Sequence, residues 1–135
     1  MHDAPLPFVD PAFETLVARA AAFCQAPSAA ALLEKLHRLG AMEPLDWFLL
    51  RDLTTLCHVD NPEAVLLLIL LLRSRNQGSL CLSLAPERLQ EQLTEAETAA
   101  VLAWLGHAPA TLIARAPETG APLVHDPATG LLYFQ

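Results

Sequence analysis

A chain of 135 residues suits one domain and is short for two. Hydrophobic residues at 53% against 17% charged exclude a disordered or solvating segment, and 28 leucines with 23 alanines lean to helix. Eight Lys plus Arg against fifteen Asp plus Glu, net −7, argue against a sequence-independent nucleic-acid binder, which needs many cations to displace phosphate counterions, and leave room only for a single basic patch.

Helix signals dominate the chain. Asp10-Pro11 with Glu14 is an N-cap, a proline at the first helical position and an early acid. Phe13, Leu16, Val17, Ala20 and Phe23 follow at helical spacing, and the helix stops near Pro27. Ser28 caps a second helix carrying Leu32, Leu33, Leu36 and Leu39, with Gly40 as its stop. After an extended stretch at Glu43-Pro44-Leu45, Asp46 caps a third helix, with Trp47, Leu50, Leu53 and Leu56 apolar. Asn61-Pro62-Glu63 opens a fourth that is apolar on every side through Leu72, which makes it the central, buried helix. Arg73 to Gln77 return it to solvent and Gly78 ends it.

The second half is more mixed. Ser79 to Leu84 alternates apolar with small or polar residues, a period of two, and reads as short and extended. Pro86-Glu87 starts a brief fifth helix, and Thr94-Glu95-Ala96-Glu97 is a capping box opening a sixth, with Leu102 and Leu105 inward and Gly106 at its close. Then come three β-forming runs, Thr111–Arg115, Pro122–His125 and Leu131–Phe134. They are separated by Pro117-Glu118-Thr119-Gly120 and by Asp126-Pro127-Ala128-Thr129-Gly130, both turn-forming. The expected fold is mainly α: a compact bundle of about five or six helices with a small C-terminal β-hairpin or three-stranded meander. It is one domain over 1–135, with 1–30 as a possible extra N-terminal helix, 31–106 as the helical core and 107–135 as a β-containing tail.

The residues offer little chemistry. Ala64–Leu72, the longest apolar run, has nine residues where a membrane span needs about twenty, and Met1-His2-Asp3 lacks the basic, apolar start of a secretory signal. Cys24, Cys57 and Cys81 are odd in number with no CxxC, which fits reduced thiols and a cytoplasmic setting. Lys35, the one lysine, lies between Glu34 and Leu36, so neither a GxxxxGK[ST] phosphate loop nor a carboxylate-x-lysine nuclease site is present. Cys57-His58 has its nearest further ligand types, His37 and Cys81, about twenty residues away on either side, a spacing that suits no usual zinc site. It reads instead as a buried cysteine with a histidine at a frayed helix end. His107 belongs to a helix terminus, His125 to a local bond beside Asp126, and Asp46 and Glu97 to caps; Trp47, Phe48 and Trp104 belong to the core. No catalytic, cofactor-binding or metal residue is assigned, and no enzyme activity is expected of this chain alone.

A set of segments in order carries a resemblance: Pro44-Leu45-Asp46, Asn61-Pro62-Glu63-Ala64-Val65, Leu71-Leu72, Gly78-Ser79-Leu80-Cys81-Leu82 and Leu131-Leu132-Tyr133. Over about residues 32–135 the chain resembles the N-terminal domain of RecD, the alpha subunit of exodeoxyribonuclease V, the RecBCD helicase-nuclease. Members of that family commonly carry histidine after the glycine; here Ser79 stands there, so no role of that histidine transfers.

The resemblance implies a longer parent, an ATP-dependent 5′-to-3′ DNA helicase of double-strand-break repair, with ATP and Mg in motor domains beyond Gln135. This domain would be its non-catalytic module, docking onto the RecC-type (gamma) subunit and the parent's own motor domains, with little or no direct DNA binding, no membrane and self-association when isolated. The last four residues, Leu132-Tyr133-Phe134-Gln135, also resemble a protease-tag remnant. The alternative is a free-standing helical adaptor or regulator that self-associates through a leucine-rich face.

Overall fold

In a computed structural model of the chain, residues 8–36, 41–117 and 120–135 are described. The Met1-His2-Asp3 start, read as lacking a secretory signal, His37, the stop at Leu39-Gly40 and the Glu118-Thr119 part of a turn lie outside them.

The molecule is mainly helical, with six helices and a small sheet among the described residues: α1 (Pro11–Phe23), α2 (Ala29–Lys35), α3 (Pro44–Leu56), α4 (Pro62–Asn76), β1 (Cys81–Ser83), α5 (Pro86–Leu89), α6 (Glu95–Leu105), β2 (Ile113–Ala114), β3 (Leu123–Asp126) and β4 (Leu131–Phe134). Local chemistry sets the helix starts. Asp10 Oδ1 accepts the Phe13 N–H at 3.1 Å, and Ser28 Oγ accepts that of Ala31 at 3.1 Å. Thr94 Oγ1 accepts the Glu97 N–H while the Glu97 carboxylate accepts the Thr94 N–H at 2.9 Å, a complete capping box. The third helix starts three residues earlier than expected. Pro44 is already helical with Glu43 as N-cap, and Asp46, in the first turn, reaches back to accept the Glu43 N–H at 2.8 Å.

The fourth helix is the hub. Ala64 to Leu72 are all at most 1% exposed, because α1, α3, α6 and β1 pack around it. Burial continues past the point expected: Arg73 and Ser74 are still buried, with Arg73 Nη1 donating to the Leu33 carbonyl at 2.6 Å. The chain then turns at Gly78, whose φ of +92° is one that a side chain would resist. Helix α1 belongs to the same core, contributing Phe13, Leu16, Val17, Ala20 and Ala21. Leu56, expected among the apolar positions of α3, is exposed, while Leu102 is half-buried and packs against the core as expected.

The sheet has the order β1-β4-β3-β2. The expected hairpin forms between β3 and β4, closed by the Gly130 N–H on the Asp126 carbonyl and by Asp126 Oδ1 accepting the Ala128 N–H at 3.0 Å; Gly130 has φ +69°. Its neighbours differ from a meander. Strand β2 runs parallel to β3, and the fourth strand is β1, from the middle of the chain, antiparallel to β4. Among the described residues no helix is long and apolar enough to cross a membrane.

Candidate functional site

Four of the five segments that carry the resemblance lie around the C-terminal end of α4; Asn61-Pro62-Glu63-Ala64-Val65 forms the opposite, N-terminal end of that helix. Asp46 at the start of α3 is 1% exposed and accepts from Arg75 at 2.6 Å and from Asn76 Nδ2 at 2.6 Å. Asn76 also donates to the Ala41 carbonyl at 2.7 Å. One carboxylate thus ties two helix ends together. The Arg75 guanidinium in turn lies 5.4 Å from the centre of the Phe134 ring, a cation–π contact that carries the link on to β4. Beyond Gly78, Cys81 pairs with Tyr133 and Leu82 with Leu132 across the β1–β4 ladder, although these residues are some fifty positions apart.

An apolar groove of about 490 Å³ opens here, lined by Arg75, Leu80, Cys81, Leu131, Tyr133 and Phe134. Leu80, at its rim, is 89% exposed. On the other flank of β1 lies a second, more polar groove of about 530 Å³. Apolar lining with a cation at one end suits a protein partner.

Elsewhere the titratable groups are structural. Lys35 Nζ bridges the Glu97 carboxylate at 2.9 Å and the Cys24 carbonyl at 2.8 Å, fastening α2 to α6 and to the end of α1. Burial by itself would raise the Glu97 carboxyl, but the Thr94 N–H and the Lys35 ammonium outweigh it and hold the group below its ordinary value. Beside it, burial and the Glu97 charge push the Cys24 thiol up to about 12. Thiolate is the reactive form. A disulfide reagent at about pH 8 is therefore expected to leave Cys24 unlabelled in the folded chain, with labelling at half-buried Cys57 and Cys81 first. Cys24 reacting as fast as either would contradict the packing around it.

The remaining residues considered from sequence scatter. Cys57 is not fully buried as expected but half-buried at the α3 terminus, where Sγ donates to the Thr111 carbonyl at 3.5 Å; burial raises its thiol. His58 follows with φ +54°, a left-handed helix exit. His107 Nδ1 lies 2.9 Å from the Ala103 carbonyl. His125 is lowered by burial and by Arg115, with Asp126 opposing, while the Asp126 side chain serves the turn. Trp47 and Trp104 are buried as expected, but Phe48 is half-buried outside the core, tilted 45° against Phe8 with ring centres 4.7 Å apart and the Arg51 guanidinium 5.2 Å from its centre. Among the described residues no three of His, Cys, Asp and Glu come together to hold a metal. The sequence reading missed Arg75 altogether as a site residue, because its partner lies 29 positions away.

No family model, no curated protein and no solved structure matches this chain.

Proposed function

We propose that this chain is the non-catalytic assembly domain of a RecD-type ATP-dependent 5′–3′ DNA helicase subunit, docking it onto a RecC-type subunit for double-strand-break repair. One observation carries the reading. Four of the five segments that give the resemblance, though spread from Pro44 to Tyr133, lie around the C-terminal end of α4, where Asp46 holds Arg75 and β1 pairs with β4 beside an open apolar groove; Leu80, Cys81, Leu131 and Tyr133 from them line it.

The test is co-expression with a RecC-type subunit from the same organism. A one-to-one complex is expected on size exclusion with light scattering. Leu80→Asp should weaken it about a hundredfold, the loss of an anchor at the centre of a contact. Because Leu80 makes little contact with its own chain, helical content and melting temperature should barely move. Failure of the wild-type chain to form the complex would sink the assignment.

The adaptor alternative draws on another surface. Leu45 and Leu56 are 78% and 77% exposed and eleven residues apart on α3, which places them about 20° apart around the helix, with half-buried Leu49 between them. A dimer dispersed by Leu56→Asp, together with no binding to a RecC-type subunit, would favour that reading.

A further inference from the structure

The backbone of β1 is open on one side. Leu84 N–H donates to the Gly130 carbonyl at 2.8 Å, continuing the register Ser83↔Leu131, Leu82↔Leu132, Cys81↔Tyr133. Hydrogen-bonded and open pairs alternate along an antiparallel ladder, so Leu82 bonds to β4 as Leu84 does. Cys81 and Ser83 then turn their N–H and C=O groups the other way. Strand β1 stands at the end of the sheet order, and no described strand of this chain takes up those four groups.

The second groove follows that free side. Cys81, Leu82 and Ser83 all line it. Successive residues of a strand point to opposite faces, so a cavity touched by three in a row reaches round the edge, from the face that Ser83 shares with Leu131 of β4. Leu70 from α4 and Leu89 from α5 add apolar lining, Arg88 and Glu91 line it as an ion pair at 3.5 Å, and its volume of about 530 Å³ is ample for a short segment of chain. The edge is also unguarded. Proteins usually blunt free edges with charges, prolines or bulges. From Asn76 to Ala85 this chain has no charged residue and no proline, although its net charge is −7. An edge without charge, beside a groove whose Arg88 and Glu91 are paired with each other, selects an occupant without net charge.

We propose that β1 receives an extended segment of the partner subunit, without net charge, as an added fifth strand, bonded through the backbone of Cys81 and Ser83, with alternate apolar side chains against Leu70 and Leu89. This rests on the docking reading above and specifies what the partner presents.

Proline at position 83 tests it, since Ser83→Pro removes an outward N–H and spares the Leu82 and Leu84 bonds to β4. In titrations against the RecC-type subunit, Ser83→Pro should raise Kd about tenfold or more, and Ser83→Ala, which keeps the N–H, should stay within about twofold. In wild-type protein, hydrogen exchange at the Cys81 and Ser83 amides should be fast in the free chain and slow in the complex, a reading that stands even if the proline variant folds poorly. If Ser83→Pro binds as wild type while well folded, or the two amides exchange equally fast in the complex, the added strand is wrong and the docking assignment survives. If the wild-type chain forms no complex at all, the docking assignment fails and the added strand with it. A chain that dimerises alone and loses the dimer with Ser83→Pro would give the edge to a second copy and overturn the proposal.

Discussion

Alanine in place of any one of Leu66, Leu67, Leu68, Leu70 or Leu71 is expected to cost about 3 kcal/mol of folding stability, within a range of about 2–5. Each of these side chains is at most 1% exposed. The cost combines the lost transfer of the side chain out of water with the cavity that a close-packed interior cannot refill. What distinguishes this helix is the pattern. An amphipathic helix scanned with alanine shows losses that rise and fall every three to four residues; α4 should show none, because α1, α3, α6 and β1 meet it on different sides. Urea denaturation of the five variants, with Leu56→Ala on exposed α3 surface as a control expected within about 0.5 kcal/mol of wild type, measures this directly. A periodic result, with some of the five near zero, would mean that one face of α4 is free and that the hub is drawn wrongly. Domains of ordinary size have about 5–15 kcal/mol to lose, so two such substitutions together should leave the chain largely unfolded.

The burial of α4 was legible because its cause is local to the sequence: nine apolar residues between Glu63 and Arg73, with no polar stripe for water to hold. Caps at Asp10, Ser28 and Thr94 were legible for the same reason, as each acts over three residues. Asp46 shows where such signals stop being unique. A carboxylate in an N-cap and one reaching back from the first turn look alike in sequence, and Pro44 decides for the earlier start because its fixed φ suits the first helical position.

Pairing over distance was not legible. Nothing near Ser79–Leu84 says that its partner is Leu131–Phe134, nor that β2 would join β3 in parallel. Lys35 was informative only for the chemistry it excludes; its bridge to Glu97 spans 62 positions. The free edge of β1 did leave a trace, a ten-residue stretch without charge in an acidic chain, but that trace acquires meaning only once β1 is known to stand at the end of the sheet.

Asp46→Ala should lower stability by about 3 kcal/mol, and by more than any other single polar substitution in the chain. The carboxylate is 1% exposed and serves three donors: the Glu43 N–H, Arg75 and Asn76. Losing the helix-start bond alone is worth about 1 kcal/mol. The other two contribute through α4, since Arg75 and Asn76 are left facing a small apolar void without their acceptor. Breaking a fully buried pair costs about 3–5 kcal/mol, but the Arg75 side chain is 44% exposed and water takes over part of its solvation, which places this case at the lower end. Asp46→Asn separates the contributions. It keeps one oxygen to accept a hydrogen bond and removes the charge, so it should recover part of the loss. The pairing can be isolated by a double-mutant cycle with Arg75→Met, in which the two single losses should exceed the double loss by about 1 kcal/mol. Because Arg75 also lies against Phe134 and lines the groove with Leu80, Arg75→Met should cost less stability than Asp46→Ala and, on the proposed docking, should in addition weaken binding to a RecC-type subunit. Strictly additive losses would show that Asp46 and Arg75 act separately, and the link from the start of α3 to the docking groove would then have to be abandoned.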